Sequence, residues 1–193
     1  KNSQKFLNNI LTSDVSKISI NDVSTSALLS PQGKILFDFL IFKFGKNENK
    51  NSYFIECDDT QKNDIMKKLK LYSIGQDILI EETDLDLILT NDLNFCKNVK
   101  LDKRFQNSQI GRLYINKKSM GKKKFTNLDD NLEWYYKLKF FHCIPEGESE
   151  IPFNKIYPFE IGMHLNDGVS LQKGCFIGQE VIARVFYKGS IKK

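Results

Sequence analysis

The sequence contains no CxxC pair. Its two histidines, His142 and His164, stand apart, and its four cysteines, Cys57, Cys96, Cys143 and Cys175, are dispersed. That scatter gives neither the ligand spacing of a zinc site nor that of an iron-sulfur cluster carried by the chain itself, so no metal-ligating residues are assigned. It also suits a reducing compartment, and the cytoplasm is the expected location. With each histidine isolated, Cys-His catalysis is disfavoured. Long apolar runs are missing as well. "KILFDFLIFKF" is the most apolar segment, but Asp38 and Lys43 break it well short of the roughly 20 residues that a spanning helix needs, and no membrane partner is expected. Neither a secretory signal, a repeat nor a low-complexity tract is visible, and a chain opening "KNSQKF" without Met is expected to have lost its natural start.

What is present is enough apolar material for a core. The 193 residues are 40% hydrophobic and include fifteen Phe and seven Tyr against only four Pro, which fits one large or two small domains and argues against disorder. Lys and Arg exceed Asp and Glu by 29 − 24 = 5. That excess would draw anionic ligands and attract nucleic acid weakly at most. Phe6, Leu7, Ile10 and Leu11 share one helical face behind a Ser3 N-cap. "STSALLSPQGKILFDFLIFKF" reads as two antiparallel strands around a turn in which Pro31 and Gly33 supply the backbone angles. After the polar "GKNENKN", "SYFIEC" is a strand, a helix buries Ile65, Met66 and Leu69, and "QDILIEE" and "LDLILT" are strands, which makes half of a ferredoxin-like unit. "NVKLDKRFQNSQIGRLYIN" reads as loop plus strand. A helix starting at Asp129 to Asn131 buries Leu132, Tyr135, Leu138 and Phe141, with Pro145 and Gly147 beyond its end.

The stretch "LQKGCFIGQEVIARV" carries the candidate chemistry. Cys175 follows Lys173 and Gly174 and precedes a helix whose Val181, Ile182 and Val185 share a face. A nearby ammonium and a helix N-terminus favour a thiolate, which makes Cys175 a candidate nucleophile or redox residue, the alternative being a small buried filler where strand meets helix. Gly178 and Gln179 open the helix and could offer backbone N–H groups to an anion. Glu180 and Arg184 are equally well an i,i+4 pair. Asp38 interrupts an apolar strand, where burial without a partner is costly and raises its pKa. Lys117, Lys118, Lys122, Lys123 and Lys124 form a basic loop with only Phe125 as an aromatic neighbour, so it is either a solvated face or a contact for RNA phosphates or a polyglutamate tail.

"KGCFIGQEVIAR" resembles the K-G-C-[YF]-x-G-Q-E-x-x-A-R signature of the YgfZ family, folate-binding relatives of the glycine-cleavage T-protein. "KFLNNILTSDV", "ALLSPQGKILFDFLI", "LDKRFQNSQIGRLYI" and "YPFEIGM" are similar to further family segments in the same order, so the likeness covers nearly the whole chain. The resemblance implies an α+β, YgfZ/T-protein-like folate-binding fold: a discontinuous folate-binding domain from residues 1–45 plus 126–193, a ferredoxin-like domain inserted at 46–125, and the family's C-terminal β-barrel absent from this chain. It implies tetrahydrofolate as cofactor, with Glu160, Lys173, Gln179 and Arg184 as binding residues. A carboxylate at Glu160 suits the aminopyrimidine edge of a pterin because it accepts two parallel hydrogen bonds. Cys175 and Asp38 are the expected catalytic residues, although the T-protein's adjacent pair of acids has become Phe37 and Asp38 here. The implied function is support of iron-sulfur client enzymes, including radical-SAM tRNA-modifying enzymes. The alternatives are a folate-dependent aminomethyltransferase and a non-enzymatic RNA-binding module.

Overall fold

Residues 2–43, 52–94, 97–105, 110–116 and 132–188 are described by a computed structural model of the chain. The apolar stripe of Phe6, Leu7 and Ile10 forms the buried face of α1 (Asn2–Ile10). Ser3 lies within this helix rather than capping it. β1 (Asp22–Leu29) and β2 (Ile35–Lys43) pair antiparallel as expected. Gly33 takes the left-handed conformation (φ +80°) that closes the turn between them, where the Ser30 and Lys34 backbones are hydrogen-bonded at 2.8 Å.

β3 (Tyr53–Glu56) extends this pair along the other edge of β2, and α2 (Lys62–Tyr72) follows, burying Ile65 and Leu69. β4 (Leu85–Thr90), β5 (Lys100–Asp102) and β6 (Gly111–Asn116) complete a six-stranded sheet in the order β3-β2-β1-β5-β6-β4, parallel between β1 and β5 and antiparallel elsewhere. α3 (Glu133–Phe141), the short α4 (Gly147–Glu150), two 3-10 turns at Pro158–Ile161 and Met163–Asn166, and α5 (Gln179–Lys188) lie after the sheet in sequence. Strands from the 1–45 and 46–125 segments of the expected domain division therefore share one sheet.

Three expectations from sequence are corrected. "QDILIEE" forms no strand: Ile78 and Ile80 pack on the core beside α2, while Leu79 between them is 81% exposed. "LDKRF…GRLYIN" yields two short strands, β5 and β6, rather than one. In α3 the inward position goes to Lys139, and Phe141 points to solvent.

Period-two alternation splits the sheet's residues between its faces. Leu28, Phe37, Phe39 and Ile41 meet α1 and α2 on one side. On the other, Val23, Leu40, Phe42 and Tyr114 form one cluster, with the Phe42 and Tyr114 rings stacked at 4.0 Å. Ala27, Leu29 and Ile35 form a second with Met163, Phe176 and Ile182. Asp38 and Leu40 of β2, Glu56 of β3 and Arg112 of β6 share this second face, which is where a cleft opens.

α5 reaches the sheet through two glycines. Gly178 (φ +80°) approaches so closely that a Cβ there would stand 2.6 Å from the Ser30 carbonyl oxygen and 3.1 Å from Gly33 Cα, whereas a Cβ on Gly174 would meet nothing within 4 Å. Gly178→Ala is therefore expected to lower unfolding stability by at least the ~1–2 kcal/mol of a left-handed non-glycine residue, with the clash added, while Gly174→Ala stays within about 0.5 kcal/mol of the parent. Urea denaturation of both variants checks this, and equal midpoints would refute it.

Candidate functional site

The site is built on a buried carboxylate. Asp102, at the end of β5, is fully buried and accepts hydrogen bonds from Arg104 Nε (2.9 Å) and Nη2 (2.7 Å) and from Arg112 Nε (2.8 Å). Burial alone would raise its pKa, but the two guanidinium groups outweigh it and hold the carboxyl below the usual value. The arginines reach outward in turn. Arg112 pairs with Glu56 of β3 and donates to the Tyr135 hydroxyl of α3 at 2.6 Å; Arg104 pairs with Glu146 at 2.6 Å. Glu146 also accepts from Tyr135 (2.7 Å) and pairs with the buried Lys139 (3.0 Å). Burial and the Glu56 charge push the Tyr114 hydroxyl well up, so it remains a donor to Glu56.

This lattice floors a cleft of about 350 Å³ between the sheet and α3. Leu87 and Leu89 of β4, Thr25 of β1, and Tyr135 and Tyr136 of α3 supply apolar and aromatic walls beside this charged floor. Asp38 lies in the cleft, as do Cys57 and Cys143. The Asp38 Oδ2 accepts from the Gly147 backbone N–H at 3.1 Å, while Oδ1 is buried with no hydrogen-bond partner among the described residues. Burial raises the Asp38 pKa and the Glu146 charge adds to this, against the pull of the Gly147 N–H, of Asp38's own backbone N–H and of Arg104. Burial, with Asp58 and Glu56 beside it, pushes the Cys57 thiol up to about 11, so it is no nucleophile near neutrality.

The other residues singled out in the sequence lie elsewhere. Cys175 is exposed, in the segment leading to α5, and is not among the residues lining the cleft. Lys173 directs its ammonium at three backbone carbonyls, those of Asn8 (2.9 Å), Leu11 and Ser13 (2.7 Å), which occupies its three protons. Gln179 Oε1 accepts from the Phe176 N–H at 3.3 Å, a local cap at the start of α5. Arg184 pairs with Glu180 one turn away on an exposed surface. Glu160 Oε2 accepts from the Tyr157 N–H at 2.8 Å and closes the 3-10 turn; its neighbours Ile161 and Met163 line the cleft. The basic residues Lys117 to Lys124 lie outside the described residues, as does Cys96. Among the described residues no group of three or more His, Cys, Asp or Glu side chains is placed to hold a metal ion, and no helix is long and apolar enough to cross a membrane.

Sequence reading missed the roles of Arg104, Arg112, Tyr135 and Glu146. A signal for the first two existed: "LDKRFQNSQIGRLYI" puts Asp102, Arg104 and Arg112 among its four charges beside strand-forming residues. Nothing local marks Glu146 as their partner.

No protein-family model matches the chain. It is similar to iron-sulfur cluster assembly factors: 26% identical over 178 residues to the human mitochondrial factor IBA57, covering 86% of this chain and 50% of that protein. With the mitochondrial IBA57 homolog of Neurospora crassa it is 25% identical over 211 residues, covering 99% and 48%. The chain thus spans about half the length of these relatives. Its fold resembles that of the glycine cleavage system aminomethyltransferase T from Bartonella henselae (TM-score 0.52, 10% identity, 97% of this chain and 59% of that one), which bears out the expected α+β fold of T-protein type. The cytoplasmic expectation is overturned by the relatives, which are mitochondrial proteins.

Because Asp102 neutralises two buried guanidinium groups, Asp102→Asn is expected to cost roughly 3–5 kcal/mol of unfolding stability. The lowered folded-state pKa sets the sign with pH: the stabilisation is fully present above the unfolded carboxyl value near 4 and is lost as pH falls through the lower folded value. The acid limb of a stability-pH curve below about pH 4 should therefore be shallower in the Asn variant than in the parent; superimposable limbs would count against this account.

Proposed function

We propose that this chain belongs to a mitochondrial iron-sulfur cluster assembly factor that binds tetrahydrofolate in the cleft over the sheet and uses Cys175 to serve iron-sulfur client enzymes, radical-SAM tRNA-modifying enzymes among them. The observation that carries the reading is the similarity to iron-sulfur cluster assembly factors along 86% to 99% of the chain. The exposure of Cys175 supports it, since a thiol that meets a cluster or a partner protein has to be reachable.

The cleft's donors and acceptors fit a folate. Asp38 Oδ1 is a buried acceptor with no hydrogen-bond partner among the described residues, and the aminopyrimidine edge of a pterin carries donors that suit it. Tyr135, Tyr136 and Leu87 offer flat and apolar surfaces for the ring. In this reading Asp38 orients the pterin, the Gly147 N–H orients Asp38, and Arg104 and Tyr135 fix the segment around Glu146 and Gly147 from below. When bound, tetrahydrofolate supplies a nitrogen that accepts a one-carbon unit. A second reading, folate-dependent aminomethyl transfer, is favoured by the same open Asp38 oxygen, which could assist an amine. Methylene-tetrahydrofolate formed from an aminomethyl carrier would support it, and no product from folate-competent full-length protein rejects it.

In calorimetric titrations of the full-length protein with tetrahydrofolate, Asp38→Asn is expected to weaken binding about 10- to 150-fold, the equivalent of one charged hydrogen bond of ~1.5–3 kcal/mol. Glu160→Ala, run beside it, separates a pterin held at Asp38 from one held at Glu160, and absence of binding by the parent protein sinks the folate reading. Cys175→Ala should leave both the fold and folate affinity unchanged while abolishing maintenance of iron-sulfur enzyme activity in cells. Client enzymes that retain full activity in those cells would refute the role given to Cys175.

A further inference from the structure

Cys175 sits between an open glycine and the buried Phe176. It is exposed, and the neighbouring Gly174 has open space on its side-chain side. The segment needs an anchor if the thiol is to be offered in one place, and the structure has one two residues upstream. The Lys173 ammonium donates to the carbonyls of Asn8, Leu11 and Ser13, residues about 160 positions away in sequence. Asn8 lies in the last turn of α1 and Leu11 one residue beyond its end, where carbonyls lack intrahelical partners and the helix dipole favours a cation. Thr12, which would otherwise serve the Asn8 carbonyl, turns its N–H to Ala27 instead. On its other side the ammonium lies 4.6 Å from the centroid of the Phe176 ring, which is buried in the cluster that also holds Met163 and Ile182.

We infer that Lys173 is the positioning residue for Cys175: its ammonium fastens the 171–178 segment to the end of α1 and so presents the thiol at one fixed place on the surface. The inference rests on the reading of Cys175 as the working thiol. Ser170 N–H on the Thr12 carbonyl at 2.9 Å holds the start of the segment, a turn from Gln179 N–H to the Phe176 carbonyl at 3.1 Å closes its end, and Ile177 and Phe176 pack on the core, while among the hydrogen bonds of the described residues Lys173 alone ties its middle to the end of α1. Burial pulls the Lys173 pKa down to about 8, with Asp14 the charged group that faces it and opposes the fall. The clamp is therefore charged at neutral pH and weakens on moderate alkalinisation.

The test uses the full-length protein with Lys173→Met, which keeps an apolar stem but no donors, Lys173→Arg, which keeps the charge, and Cys175→Ala. Hydrogen exchange read by mass spectrometry should speed up at least tenfold in the 171–178 segment of the Met variant, with the sheet unchanged, and largely recover in the Arg variant. Iron-sulfur enzyme maintenance in cells should follow the same order, with Met close to Cys175→Ala and Arg partly rescued. Unchanged exchange at 171–178 in the Met variant overturns the inference, and so does a freed segment with full activity while Cys175→Ala is inactive. Full activity of Cys175→Ala instead overturns the functional reading and leaves the exchange result to judge the clamp by itself. Should the Met variant not fold, the wild-type protein decides: at neutral pH its 171–178 segment should exchange well below the intrinsic rate, and exchange at the rate of a free chain refutes the clamp.

Discussion

The carboxylate of Asp102, held between two arginines with no access to water, is the constraint from which the rest of the site follows. A buried carboxylate tolerates only an arrangement in which its charge is met, and Arg104 and Arg112 meet it from two elements. Those guanidinium groups then carry more positive charge than Asp102 can balance, so Glu56 and Glu146 are drawn in from β3 and from the segment ahead of α4. The result joins β5, β6, β3 and α3 through groups whose partners are prescribed by geometry. Ion pairs of this kind add modestly to net stability because of the desolvation they require, yet breaking one is costly. Here they link α3 to the sheet through Tyr135 and Lys139.

The cleft inherits its form from that placement. Glu146 stands next to Gly147, whose N–H takes one oxygen of Asp38, the other having no hydrogen-bond partner among the described residues. Gly147 has φ +72°, the left-handed conformation that favours glycine, and a Cβ there would stand 2.7 Å from Asp58 Oδ2 in the segment after β3. An open acceptor in a buried cleft is a cost to the fold that a ligand donor would relieve, which is the physical basis for reading the cleft as a binding site.

Cys175 stands apart from that chemistry, but not from the packing around it. Met163 lines the cleft and shares a cluster with Phe176, which follows Cys175 and lies against the Lys173 ammonium. The two glycines at 33 and 178 press α5 onto the β1–β2 turn. The "KGCFIGQE" stretch thus reads largely as scaffold, with Lys173 clamping, Gly178 packing and Gln179 capping, and its thiol is the part left facing outward.

What could be read from the sequence was whatever depends on near neighbours along the chain. The β1–β2 pair, α2, the buried Ile182 of α5 and the Glu180–Arg184 pair are all set by periodicity, turn chemistry or one-turn spacing, which are local. "QDILIEE" failed because alternation cannot provide a hydrogen-bonding partner strand, and α3 was turned wrongly because a pattern that sends charge outward cannot anticipate a buried Lys139 paired with Glu146 and Glu150. The resemblance pointed to Asp38 and Cys175, but not to their separation. Only the tertiary structure decided that Asp38 shares a cleft with Glu146, that Arg112 meets Glu56 across 56 residues, and that Lys173 spends its protons on α1. The reason is physical: a charge enters the interior only when its partner arrives with it, and these partners come together from distant parts of the chain.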